Sequence, residues 1–87
     1  MKFDDRYFSR EGRYSLGVES TSGRYYASIP VSNGVVDYEE YYVITNDQYH
    51  AFLEDKGAAI DFVDACRRHE NDGLLIEKPG SNRGTPV

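Results

Sequence analysis

Polar and apolar positions follow two rhythms along this chain. From Arg13 to Ile44 they alternate, and from Thr45 to His69 apolar residues recur every three or four positions. In Arg13–Glu19, Tyr14, Leu16 and Val18 share one side while Ser15, Gly17 and Glu19 share the other, the pattern of a half-buried strand. The stretch RYYASIPVSNGVVDYEEYYVI, residues 24–44, continues the alternation across an Asn33-Gly34 turn signal. It predicts the central hairpin of a small antiparallel sheet, with an apolar inner side and an outer side of tyrosines and carboxylates.

Turns are expected at 20–23 and at 32–35. The first sets Glu19 against Arg24, Val18 against Tyr25, Gly17 against Tyr26, Leu16 against Ala27 and Tyr14 against Ile29. The Tyr26 ring then covers the bare backbone of Gly17. For the second hairpin a four-residue loop is preferred to a two-residue turn. It places Pro30 where the missing N–H costs no ladder bond. Val31 then meets Val36, Ile29 meets Tyr38, Tyr25 meets Tyr42, Tyr26 meets Tyr41 and Ser28 meets Glu39. Glu40 falls opposite Ala27 on the inner side. A carboxylate there needs a partner, a place at the sheet margin, or a bulge that re-aims it.

Ile44-Thr45-Asn46-Asp47-Gln48-Tyr49 marks a helix start. Thr45 is the N-cap, Gln48 completes a capping box, and Ile44 with Tyr49 forms a hydrophobic staple. The first helix covers about 46–54, with Tyr49, Phe52 and Leu53 inward, and breaks or bends at Lys56-Gly57. The second covers about 58–69 with Ala59, Phe62, Val63 and Cys66 as its apolar stripe, and Gly73 is expected as the left-handed residue beyond it. A short edge strand is expected at Arg6–Phe8 and a short last strand at 74–76. The fold class is therefore α+β: an antiparallel sheet of about three to five strands packed on two short helices. Residues 1–77 form one domain, and 78–87 read as an extended or disordered tail.

Composition narrows the functional classes. The 87 residues carry a net charge of −5, which disfavours phosphate-tracking nucleic-acid binding and anionic membrane surfaces. Eight Tyr, four Phe and no Trp suit a pleated sheet with wet or interfacial tips. Between Arg24 and Lys56 there is no Lys or Arg, yet Asp37, Glu39, Glu40, Asp47, Glu54 and Asp55 all fall there. Such a field steers a basic partner. A single cysteine, Cys66, allows no internal disulfide, and no apolar leader or transmembrane-length run is present, so a cytoplasmic location is expected; the sequence leaves the oligomeric state open, with a monomer favoured.

Three sets of residues offer candidate chemistry. His50 and Glu54 have the i, i+4 spacing of a base and its orienting carboxylate, and equally of a surface ion pair. Cys66 and His69 are spaced to share a metal, but two ligands do not make a structural zinc site, and Cys66 lies on an apolar stripe. Asp37, Glu39 and Glu40 alternate across the strand and so do not converge on a cation. No catalytic residue, metal or cofactor is expected.

The features GRYYASIPVSNGVVDYEEYYVI and TNDQYHAFLED resemble, in overall style, the small acidic immunity proteins of bacterial polymorphic-toxin and contact-dependent growth-inhibition systems. That resemblance implies a non-catalytic module that binds and blocks a basic toxin domain, often a nuclease. No residue carries over position by position. The expected partner-binding residues are Tyr26, Ser28, Asp37, Glu39 and Tyr41, which alternation places on the outer side, together with Glu40 of the same acidic run, extended by Asp47 and Glu54 if the first helix lies at the sheet margin. The alternatives are a small enzyme or metal-binding protein using His50/Glu54 or Cys66/His69, and an adaptor assembling through sheet edges.

Overall fold

A computed structural model describes all 87 residues. Four strands form an antiparallel meander: β1 (Phe3–Ser9), β2 (Tyr14–Glu19), β3 (Arg24–Ser32) and β4 (Asp37–Ile44). Two helices follow, α1 (Asn46–Glu54) and α2 (Lys56–Arg67), and a two-residue strand, β5 (Thr85–Pro86), returns to pair with β3. The architecture is α+β, a sheet with both helices on its inner face.

The β2–β3 register is the one that alternation predicts, from Glu19 opposite Arg24 to Leu16 opposite Ala27. Glu19 does not use Arg24, however. Its carboxylate turns into the loop and accepts from the N–H groups of Lys2, Thr21 and Ser22 and from the Ser22 hydroxyl. The β3–β4 hairpin differs from expectation by one loop position. Its turn is Asn33–Val36, because the Asn33 side chain accepts from the N–H groups of both Val35 and Val36. Each pairing moves by two residues, so inner and outer faces are preserved while partners change. Tyr25 meets Ile44, Ala27 meets Tyr42, Ser28 meets Tyr41, Ile29 meets Glu40 and Val31 meets Tyr38. Pro30 opposes Glu39, a pair that exchanges no ladder bonds, so its missing N–H is harmless as expected.

The inner face holds the core. Tyr14, Leu16, Ala27, Ile29, Val31, Tyr42 and Ile44 pack against Tyr49 and Phe52 of α1 and Ala59, Val63 and Cys66 of α2. Burial of this apolar surface supplies the main drive to fold. The capping box is present: Gln48 N–H donates to the Thr45 hydroxyl and Thr45 N–H to the Gln48 side chain. The helices separate at Asp55 rather than at Lys56-Gly57, because the Asp55 carboxylate accepts from Ala58 N–H and starts α2 two residues early. Leu53, expected inward, is 41% exposed. After α2 the left-handed residue is His69, at φ 62°, not Gly73.

Two further corrections concern the chain ends. Residues 74–76 meet β4 through one bridge, Leu75 opposite Tyr42, preceded by a 3-10 turn at Asp72–Leu74. Residues 78–87, expected as an extended or disordered tail, fold back onto the sheet. Arg83 inserts beside β4, β5 pairs with Val31 and Ser32, and Val87 N–H donates to the Pro30 carbonyl. Gly84 makes this approach possible, since a Cβ there would meet the Ser32 backbone at 2.7 Å.

Candidate functional site

The outer sheet face owes its shape to Gly17. A Cβ on Gly17 would lie 2.2 Å from the Asp4 carbonyl and 2.5 Å from the Tyr26 hydroxyl oxygen. With that space empty, the Tyr26 hydroxyl reaches over β2 and donates to the Asp5 carboxylate on β1. Phe3 of β1 then stacks on Tyr41 of β4, ring centroids 3.6 Å apart and planes 9° from parallel. In a flat sheet three strand spacings would separate these residues by about 14 Å. The sheet therefore curls around its outer face. Tyr26 stands edge-on to both rings, at 5.4 Å from Phe3 and 5.0 Å from Tyr41.

This curl decides which expected residues can meet a partner. Tyr26 and Ser28 are wholly buried, so neither offers surface. Glu40 is also buried, on the inner side, where it accepts from Arg83 Nε at 2.7 Å, Arg83 Nη2 at 3.1 Å and the Tyr42 hydroxyl at 2.8 Å. Arg83 also spans to Asp72 at 2.8 and 3.0 Å, and its pKa is pushed up by Asp72 and Glu40. Glu40 is thus a structural carboxylate. Asp37 is exposed; Glu39 and Tyr41 are half-buried. Asp47 and Glu54 are exposed on α1, which packs by Tyr49 and Phe52 on the opposite face, so they do not join this surface.

Phe3, Asp5 and Glu77 were missed. Regular alternation would put Phe3, Asp5 and Tyr7 on one face. A register shift between Asp5 and Tyr7 sends Phe3 and Asp5 outward and Tyr7 into the core. No local sequence signal marks that bulge. Asp5, Glu39 and Glu77 surround the Tyr41 phenol, whose pKa is raised by burial and then by these three charges. Burial also raises the Glu39 pKa, opposed by a hydrogen bond from the Ser28 hydroxyl at 3.1 Å and reinforced by Asp5.

The ion pairs of the chain join Arg6 to Asp4, Arg67 to Asp64, Arg68 to Glu70, and Arg83 to Glu40 and Asp72. Asp5, Asp37, Glu39 and Glu77 belong to none of them. A cleft of about 440 Å³ runs beside β4, lined by Glu39, Tyr41, Glu77 and the 78–82 segment. At the other end of the outer face Phe8, Arg10, Arg13 and Pro30 line a smaller groove that Glu39 also borders. The face is therefore acidic at Tyr41 and basic at the β1–β2 turn.

The other candidate chemistry does not assemble. The His50 ring nitrogen Nδ1 lies 2.8 Å from the Asn46 carbonyl on its own helix. Cys66 is buried beside Asn71, and burial pushes its thiol up to about 11, which leaves little thiolate to act as a nucleophile at neutral pH. His69 is exposed beyond the helix end. No group of three or more His, Cys, Asp or Glu is arranged to hold a metal ion. No helix is long and apolar enough to cross a membrane. The chain matches no protein-family model, no curated protein sequence and no solved structure.

Proposed function

We propose that this protein is a non-catalytic binding module that docks a basic protein partner on the acidic end of its outer sheet face, in the manner of a toxin-neutralising immunity protein. One observation carries the reading: the stacked Phe3–Tyr41 pair, on a face the helices leave uncovered, is ringed by carboxylates without cation partners. Aromatic centres with a charged rim match the anatomy of protein interfaces. Unpaired carboxylates speed encounter with a cationic surface and reject anionic ones. Burial of Tyr26 and Ser28 makes them supports for this surface, with Tyr41, Asp37 and Glu39 remaining from the expected set.

The test is binding to a toxin domain encoded beside this reading frame. A one-to-one complex that weakens with salt is expected. Asp37→Lys with Glu77→Lys, both at exposed positions, should slow association at low salt. A toxin left fully active by co-expression, or a charge-reversed variant with unchanged rate and affinity, defeats the proposal.

A further inference from the structure

The cleft beside β4 is bounded by an open strand edge. In the second hairpin Asn33 N–H donates to the Val36 carbonyl, which sets the phase of the ladder. Tyr38, Glu40, Tyr42 and Ile44 direct their backbone groups toward β3; Asp37, Glu39, Tyr41 and Val43 direct theirs away. On that far side the Tyr41 carbonyl accepts from Ile76 N–H at 2.9 Å, and there the contact ends. The Tyr41 N–H and the N–H and C=O of Glu39 have no protein partner. Residues 77–82 stand off from the strand, leaving the cleft between. An open stretch of strand edge thus faces a cleft walled by Glu39, Glu77 and Tyr41. Lys78 lines the same cleft and makes no ion pair.

Resting on the reading of this protein as a binder of basic partners, we propose that this cleft takes an extended, arginine-bearing segment of the partner. The segment adds as a strand at Glu39–Tyr41, continuing the line of Leu75–Ile76, and sets its guanidinium between the Glu39 and Glu77 carboxylates against the Tyr41 ring. Strand addition satisfies the open edge, and the side-chain slot supplies the selectivity. From Tyr38 to Tyr41 the strand rises about 10 Å, the reach of three or four extended residues. The guanidinium suits the slot better than an ammonium because it is planar, stacks on a ring, bonds carboxylates two at a time and is weakly hydrated.

The probe is a capped pentapeptide, Thr-Arg-Val-Arg-Thr, titrated into the nitrogen-15-labelled protein while amide shifts are followed. The Glu39, Tyr41 and Gly80 amides should move together. Glu39→Gln with Glu77→Gln should weaken binding by about tenfold or more, since both carboxylates lose their charge-assisted bonds to the guanidinium. The Glu39 change should leave the fold intact, because a glutamine keeps the oxygen that accepts from the Ser28 hydroxyl and removes a charge that burial disfavours. Asp47→Asn with Asp61→Asn makes the same change in net charge on the helical layer and should leave affinity unchanged. Replacing both arginines by lysine should weaken binding. Of two peptides N-methylated at alternate amides, the one blocked on the edge-facing set should fail to bind. Shifts confined to other amides, equal weakening by the helical pair, or binding by both methylated peptides overturns the inference. If a basic partner is captured while the peptide leaves Glu39 and Tyr41 unmoved, the slot is wrong and the binding-module reading stands. If the peptide seats there but the neighbouring toxin is left active, the binding-module reading fails instead.

Discussion

Replacing Arg83 by methionine separates the structural carboxylate from its counter-charge. Glu40 is 5% exposed and keeps only the Tyr42 hydroxyl once the guanidinium is gone. Removing one member of a buried pair costs about 3–5 kcal/mol, because the remaining charge stays desolvated without compensation. The Asp72 arm adds at most about 1 kcal/mol, since that carboxylate is 42% exposed and water can replace the guanidinium. A domain of this size loses about 4–8 °C of Tm per kcal/mol, so a fall of about 12 °C or more is expected. Urea unfolding followed by circular dichroism gives the free energy directly. The decisive variant is Glu40→Gln together with Arg83→Met. A neutral amide needs no counter-charge and can still accept from Tyr42, so the double variant should be more stable than Arg83→Met alone, with a coupling of about 2 kcal/mol. An Arg83→Met cost below about 1 kcal/mol, or strictly additive effects, would refute this account of Glu40.

Gly17→Ala should destabilise the outer face by about 1–3 kcal/mol or more, because the new methyl meets the Asp4 carbonyl and the Tyr26 hydroxyl and the backbone atom has little room to move; loss of near-ultraviolet tyrosine dichroism with a lower urea midpoint checks it. The Glu19 carboxyl is held down to about 2 by the Ser22 hydroxyl and then by the Thr21 and Lys2 N–H groups. Its folded pKa is below the unfolded one, so its contribution is complete above about 4.5 and drains as pH falls toward 2. Glu19→Gln should therefore lower the urea midpoint at neutral pH, with the gap to the parent narrowing below pH 4.5; a gap independent of pH contradicts the assignment. Glu39 has the opposite sign: its pKa is raised, so folding penalises its charge at neutral pH. Glu39→Gln alone should leave stability unchanged or higher at pH 7, an advantage that fades as acid protonates the parent, measured by the same titrations.

Local chemistry was enough for the fold class and for the β2–β3 register. Period-two alternation in 13–19 and 24–44 placed every inner-face residue of β2, β3 and β4 correctly, because a strand has only two faces and a slip by two preserves them. The Thr45–Gln48 cap was legible for the same reason: its two hydrogen bonds close within four residues. The Tyr26–Gly17 pairing followed from a turn of countable length. The sequence also posed the Glu40 problem, an inward carboxylate needing a partner, without naming Arg83.

The rest depended on contacts that no window of sequence contains. Arg83 lies 43 residues from Glu40, and only the fold-back of the tail brings them together. A tail of glycine, proline and polar residues looks unstructured when read alone; it is held by charges and a strand edge that exist only once β3 and β4 have paired. The β1 bulge put Phe3 and Asp5 on the outer face, where periodicity had no means to divide them from Tyr7. The curl of the sheet around Gly17 then buried Tyr26 and Ser28 and carried Phe3 across to Tyr41. Alternation tells which face a side chain takes, but its exposure depends on what the rest of the chain brings over that face.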